Sequence, residues 1–292
     1  MMEKEKSKFL VEFSNEIAEY ATKALLYEVS VTPKPGLVDR KNQGSHKDMD
    51  YYTFLDSAVA LTPYFKSMTE LGQITSTERP ETTFYRLQNL GKEAEAAMYQ
   101  ATGYVNTHKG AIFSLGILCG ALGRLKGTGE KLLTENLVKE CVRMTKAPIE
   151  YFFETMKPEM NTAGCRLYRK YGIQGIRGEV ASGFLSVRKE GLPVLKELLE
   201  RGYSYDRAGS ITLLYLIAET IDTNIITRSD YEMCMKIKNQ LKRLIKEKDV
   251  ITTAMLEKID QKFIEYNISP GGSADLLAVS WFLYFLENRN KK

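Results

Sequence analysis

A chain of 292 residues with 43% hydrophobic and 27% charged residues has the make-up of a globular protein, with apolar material for one large or two small cores. The formal net charge of +4 and a pI of about 8.6 are too mild to argue for nucleic-acid or membrane binding, though they suit a site that gathers anions. The charged start MMEKEKSKFL lacks the apolar segment of a signal peptide, and Ala111 to Leu122 falls short of the roughly 18 apolar residues of a membrane span. Cys119, Cys141, Cys165 and Cys234 are scattered with no CxxC pair, so they read as reduced core thiols in a cytoplasmic protein.

Helical periodicity runs along the whole chain. It predicts helices over Lys8–Tyr27, Met49–Glu70, Arg79–Tyr99, Ala111–Leu125, Leu132–Lys146 and Ala163–Lys170. Further helices are predicted over Glu179–Lys189, Leu192–Arg201, Tyr205–Ile221, Tyr231–Lys246, Thr252–Tyr266 and Ala274–Glu287. Val29 to Thr32 is β-branched, but Pro33 and Pro35 stop it as a strand. The expectation is an all-α fold: a single multi-helix globular domain over residues 1–292, with an active-site cleft built by its loops. The lysine-rich Lys236–Lys248 reads as a solvated helix face.

The unusual residues sit in the breaks. Between Thr32 and Met49, prolines and glycines fix the backbone while Lys34, Asp39, Arg40, His46, Lys47 and Asp48 crowd one loop. That mixture is either ordinary loop polarity or an anion site with a metal or acid/base group. In GYVNTHKG, Asn106 or Thr107 can cap the next helix, and its first amides with Lys109 favour a phosphate. Gly116 and Gly120 read as close helix packing. Thr162-Ala-Gly164 with Arg166 precedes GIQGIRGE, where glycines around Arg177 allow close approach of a ligand and the guanidinium can fork a phosphate. Glu179 is a metal ligand, a base, or an acid favoured by a helix N-terminus. Asp222-Thr-Asn224 with Arg228 is either a turn or a set of groups for a metal or sugar hydroxyls. In PGGSAD, Gly271, Gly272 and Ser273 turn into an apolar helix and form a ready anion site, with Asp275 placed to hold magnesium. The chain has no P-loop, GxGxxG, GxSxG, HExxH or EF-hand pattern, and two histidines cannot build a His-rich centre. Any metal is therefore expected to be oxygen-bound, favouring magnesium.

YEVSVTPKPGLVDRKNQGSHKDMDYYTFLDSA, GYVNTHKGAIFSLGIL, TAGCRLYRKYGIQGIRGEVASGF, DTNIITR and PGGSADLLA follow one another in the order found in the triphosphoribosyl-dephospho-CoA synthases. The chain resembles that family from Tyr27 to Ala278. The resemblance implies transfer of the 5-triphosphoribosyl group of ATP to the 2′-hydroxyl of 3′-dephospho-CoA, with release of adenine. The product is the prosthetic-group precursor of citrate lyase, passed to a separate acyl-carrier-protein transferase; a relative serving malonate decarboxylase shares the pattern. Rupture of the C1–N9 bond passes through an oxocarbenium-like state. It calls for phosphate binding, stabilisation of the leaving adenine and a base for the acceptor hydroxyl. Fitted to that reaction, Lys34, Arg40, Lys109, Arg177 and Arg228 are the candidates for phosphates. Asp39, Asp48 and Asp275 are those for magnesium, and Glu28, His46, His108 and Glu179 those for acid/base work, with Arg166 and Asn224 in support. Two other readings are a magnesium-dependent hydrolase of ADP-ribose-like or nucleoside triphosphate substrates, and a nucleotide-binding protein without turnover.

Overall fold

The structure, a computed structural model, describes residues 2–247 and 250–289, with side-chain surroundings from Val11 onward. Thirteen α-helices and no strand occur among the described residues. In chain order the first five are α1 (Met2–Ser30), α2 (Tyr51–Ile74), α3 (Pro80–Ala101), α4 (Lys109–Thr128) and α5 (Thr134–Glu154). The short α6 (Ala163–Tyr171) and α7 (Gly175–Ala181) follow. A π-type turn, Val187–Gly191, then leads into α8 (Leu192–Glu200). The C-terminal part holds α9 (Tyr205–Glu219), α10 (Thr223–Arg228), α11 (Tyr231–Glu247), α12 (Thr253–Glu265) and α13 (Gly271–Glu287).

Two apolar helices, α4 and α13, lie at the centre. In α4 every residue from Ser114 to Leu125 is buried, and α13 buries Trp281, Phe282 and Leu283 completely. α2 packs along α4, α1 along α2 and α13, and α9 and α8 cover the far side of α13. The buried apolar side chains form one continuous cluster, each large one contributing about 1.5–3 kcal/mol on burial. By length and composition α4 is apolar enough to cross a membrane, and 78% of that window is buried inside the protein. Its 20 residues exceed the stretch legible in sequence, and α2, α3, α5 and α13 cover it.

Glycines let α2 and α4 approach to backbone contact. A Cβ at Gly72 would stand 2.0 Å from the Gly120 carbonyl oxygen, and one at Gly123 would stand 2.1 Å from that of Thr69. Beside this seam Arg124 is buried: its Nε donates to Glu140 Oε1 at 2.5 Å, its Nη1 to the Thr75 carbonyl and to Thr83 Oγ1, and its Nη2 to Glu78 O. One guanidinium thus ties the end of α2 to α3, α4 and α5.

Several boundaries differ from expectation, each for a local reason. α5 continues through Pro148 to Glu154 because Ile149 and Phe153 are buried beyond it, and packing outweighs the cost of an interior proline. The predicted helix Glu179–Lys189 is broken, with left-handed backbone at Gly183 and Phe184. Thr223–Ser229, read as a break, holds α10, nucleated by Asp222, whose carboxylate accepts from Asn224 N and Ile225 N. All four cysteines are free and buried, and burial pushes the Cys119 thiol up to about 12.

Candidate active site

The loop 34–49 and the starts of α4, α7, α10 and α13 enclose a cavity of about 780 Å³. Every break singled out from sequence as chemically unusual reaches its wall except the Thr162–Arg166 segment. The N–H groups opening the long helices α4 and α13 face one space, an arrangement that favours anions.

The deepest charged group is Lys34. Its Nζ donates to Glu28 Oε1 at 2.6 Å and to the Glu28 carbonyl at 3.0 Å, with both side chains almost fully buried. One ammonium hydrogen is left over. Burial raises the Glu28 carboxyl above its ordinary value, opposed by Lys34. Asp275, just past the first turn of α13, accepts a hydrogen bond from the Ala111 amide of α4, and burial, with Glu28 and then Asp222 nearby, holds its carboxyl well above the usual range. The approach is close enough that a Cβ at Gly110 would lie 1.9 Å from Asp275 Oδ2.

His108 stands before α4, edge-on to the Phe54 ring at 5.0 Å between centroids. Thr107 Oγ1 donates to Ser57 Oγ at 2.7 Å, and Ser57 Oγ lies 2.7 Å from His108 Nδ1. The Ser57 hydroxyl, which accepts from Thr107, keeps its hydrogen for Nδ1, and in that tautomer, the one assigned from this network, the imidazole proton is on Nε2. That Nε2 is buried and has no protein partner. Burial, with Lys34 next, lowers the His108 pKa to about 3. His108 is thus a neutral N–H donor in the cavity wall, in place of the acid/base group expected from sequence.

His46 is also neutral, its pKa lowered first by burial and then by Arg228. Arg228 Nη2 donates to His46 Nδ1 at 3.2 Å, and His46 Nε2 meets Ser269 Oγ at 2.8 Å. Arg228 is anchored further by the Ser45 carbonyl and Asn267 Oδ1, both at 2.8 Å. Both ring nitrogens of His46 are engaged, so it positions Arg228 and does not serve as the free base expected from sequence. Glu179 lines the cavity while accepting from the Ser186 amide and hydroxyl. Asn106 receives the Lys109 amide at 3.3 Å, and the Lys109 ammonium pairs with Glu95 at 2.8 Å.

On the opposite wall Asp222 joins two helix starts. One carboxylate oxygen accepts from Asn224 N at 2.9 Å, the other from Ser273 N and Ser273 Oγ at 2.7 and 2.8 Å. Gly271 and Gly272 make room for this: a Cβ on the first would stand 2.5 Å from Asn224 Nδ2, and one on the second 3.2 Å from Asp222 Oδ2. Ser273 is spent on Asp222 and is absent from the cavity wall, whereas Gly271, Gly272 and Asn224 belong to it.

The residues matched by the family described as ATP:dephospho-CoA triphosphoribosyl transferase run from 14 to 292. The chain belongs to this family. A Streptococcus equi subsp. zooepidemicus protein named "Probable 2-(5″-triphosphoribosyl)-3′-dephosphocoenzyme-A synthase" is 39% identical over 290 residues, covering 94% of this chain and 98% of that protein. The 2-(5″-triphosphoribosyl)-3′-dephosphocoenzyme-A synthase of Klebsiella pneumoniae is 37% identical over 273 residues, covering 92% and 90%. That of Pectobacterium atrosepticum is 38% identical over 269 residues, covering 92% and 88%. No solved structure matches the chain.

Several residues assigned from the family resemblance lie outside the cavity wall. Arg40 forms a two-pronged, half-exposed bridge to Asp206, both contacts at 2.7 Å. Asp39 is buried as a loop organiser, accepting from the amides of Lys34, Lys41 and Asn42. Asp48 is exposed, 3.7 Å from His46 Nδ1. Asp39, Asp48 and Asp275 are therefore not brought together, and among the described residues no three His, Cys, Asp or Glu side chains cluster as a metal site. Arg166 donates to Asn161. Arg177 faces a second cavity, stacked over Phe152. Sequence reading passed over Ser57, which looks like any small polar residue in an amphipathic helix. Asp222, read from sequence as part of a turn or of a set of groups for a metal or sugar hydroxyls, caps α10 and ties it to Ser273 at the start of α13.

Proposed function

We propose that this chain catalyses the transfer of the 5-triphosphoribosyl group of ATP to the 2′-hydroxyl of 3′-dephospho-CoA, releasing adenine. The observation that carries this is the gathering of the family's separated segments around one cavity with an acidic floor and donor-rich walls. The C1–N9 bond of ATP breaks, the acceptor oxygen bonds to C1, the hydroxyl proton goes to a carboxylate, and adenine leaves as its anion, which takes a proton from solvent. Asp275 is the proton acceptor, since a carboxylate whose pKa is raised by burial is a stronger base. Glu28 and Asp275 together present negative charge to the positive ribosyl centre. The His108 Nε2–H donates to the leaving base, and a neutral imidazole can do this without changing its charge. Arg228, the spare hydrogen of Lys34 and the amides of Gly110, Gly271 and Gly272 at the starts of α4 and α13 hold phosphates. Aligning two bulky anions supplies much of the rate, up to roughly 7–11 kcal/mol.

Magnesium is proposed to arrive with the triphosphate, held by phosphate oxygens and water. The carboxylates assigned to it from sequence do not assemble a site, and no step here is routed through it. The product is proposed to pass to a separate acyl-carrier-protein transferase in the cytoplasm, as a citrate lyase prosthetic-group precursor. Chromatography of protein incubated with ATP, magnesium and 3′-dephospho-CoA tests the reading. Adenine should appear only with the acceptor present, together with a heavier CoA derivative. Adenine without acceptor, or phosphate in its place, would overturn it in favour of a hydrolase.

A further inference from the structure

A second cavity, of about 280 Å³, lies beside the first and plays no part in the chemistry described so far. Its wall is mostly apolar, with Met68, Phe84, Phe113, Ile149 and Phe152, and its polar members are Gln88, Lys92, Glu95 and the guanidinium of Arg177. Two elements separate the cavities. α7 contributes Ile176 and Gly178 to the first and Arg177 to the second, while α4 contributes Lys109 and Gly110 to the first and Ile112 and Phe113 to the second. The Lys109–Glu95 bridge crosses the same partition, since Lys109 lines one cavity and Glu95 the other.

Arg177 has no hydrogen bond or ion pair among the described residues. Its guanidinium lies 4.7 Å from the centroid of the Phe152 ring, which orders the face and leaves the N–H edges for a ligand. Glu95, the nearby carboxylate, is already engaged by Lys109.

The reaction proposed above needs space beyond the first cavity. About 300–1,000 Å³ accommodates one drug-sized ligand, so 780 Å³ is room for one nucleotide and the reacting part of another. The acceptor's 2′-hydroxyl must sit with the ribosyl donor. Its far end, beyond the 5′-diphosphate, is a flexible chain of methylene and amide groups with no charge. A mostly apolar pocket with an unpaired arginine on the side nearest the first cavity matches a diphosphate followed by such a chain. ATP has no comparable part: its base and triphosphate are both polar.

Building on that reaction, we propose that the second cavity binds the pantetheine arm of the acceptor and that Arg177, on the α7 partition between the two cavities, holds the acceptor's diphosphate. The site makes the enzyme selective for a CoA-type acceptor over a plain adenosine diphosphate.

Gly91 offers a clean test. It lines the second cavity, and a Cβ there meets no atom within 4 Å. In Gly91→Leu a side chain fills the pocket, and the change suits an α-helix. Steady-state adenine release should show KM for 3′-dephospho-CoA raised tenfold or more, with KM for ATP and the melting temperature unchanged. Calorimetric titration without ATP should show 3′-dephospho-CoA binding wild type at least tenfold more tightly than ADP, and Gly91→Leu erasing that margin. Arg177→Met should weaken both ligands, since both carry the diphosphate. Equal affinity of wild type for the two ligands, or an unchanged KM in Gly91→Leu, would overturn the proposal. Calorimetry is read independently of turnover, so a protein that binds as expected but releases no adenine would refute the reaction and leave the arm site standing.

Discussion

The Asp275 carboxylate occupies the space that a side chain at Gly110 would need, 1.9 Å from where its Cβ would stand. The start of α13 thereby closes on the first turn of α4, and the absence of one methyl group sets where the proposed base sits. Gly110→Ala should displace Asp275 and lower kcat about 100-fold, in line with the loss from a misplaced reacting group. Melting should change little, because alanine improves the helix as the contact worsens it. Wild-type kcat in this variant would show that the position of Asp275 is immaterial.

Asp275→Asn separates function from stability. Asparagine keeps an acceptor for the Ala111 amide and removes the proton acceptor, so kcat should fall by about 10²–10⁴. The wild-type carboxyl has a folded pKa well above its ordinary value of 3.8. Between those two values the folded state binds more protons than the unfolded state, so the wild type loses stability as pH rises. Denaturant midpoints should therefore favour Asp275→Asn, by a margin that widens from about pH 4 upward. A constant margin would mean the carboxyl is not perturbed.

His108 carries the opposite sign. Its folded pKa of about 3 lies below the ordinary 6.5, so the stability present above 6.5 is lost as pH falls through that window. Compared with His108→Gln, the wild type should lose about 2 kcal/mol between pH 7 and pH 5. Paired guanidinium titrations at the two pH values measure this. Ser57→Ala, which removes the Nδ1 partner, should lower kcat while leaving KM for ATP nearly unchanged.

Arg124 and Glu140 answer to the cost of stranded charge. Arg124→Met leaves Glu140 Oε1 buried without its partner and should destabilise by about 3–5 kcal/mol. Replacing both, with Glu140→Leu as the second change, should cost less than the single substitution, because no buried carboxylate remains. A double-mutant cycle by chemical denaturation decides it, and strictly additive losses would contradict the pairing.

The helices were legible because their apolar positions recur at three- and four-residue spacing, and most predicted boundaries fall within a few residues of those observed. The exceptions are local. The helix predicted over Leu132–Lys146 runs on past Pro148 because Ile149 and Phe153 are buried beyond it, and α10 depends on one carboxylate, Asp222, accepting two amides. The unusual loops converge on one cavity, and Glu28, Lys34, His108, Arg228 and Asp275 all line it. Which groups are spent on one another could not be read, because it depends on contacts between segments far apart in sequence. Arg40 meets Asp206, His46 meets Arg228, and His108 is governed by Ser57. Charge type is local information; charge pairing is not.

The glycine seam between α2 and α4 has a counterpart in the α6–α7 wall. At Gly72 and Gly123 the carbonyls of the opposite helix stand in the way of any Cβ, whereas at Gly164 the nearest atom is Arg177 Nη1 at 3.9 Å. The seam that joins α2 to α4 is thus closed to substitution, while the start of α6, beside Arg177, is open to it. Under selection for a different acceptor, adaptive changes would accumulate around Gly164 and Arg177, while the seam would be passed on unaltered from ancestor to descendant.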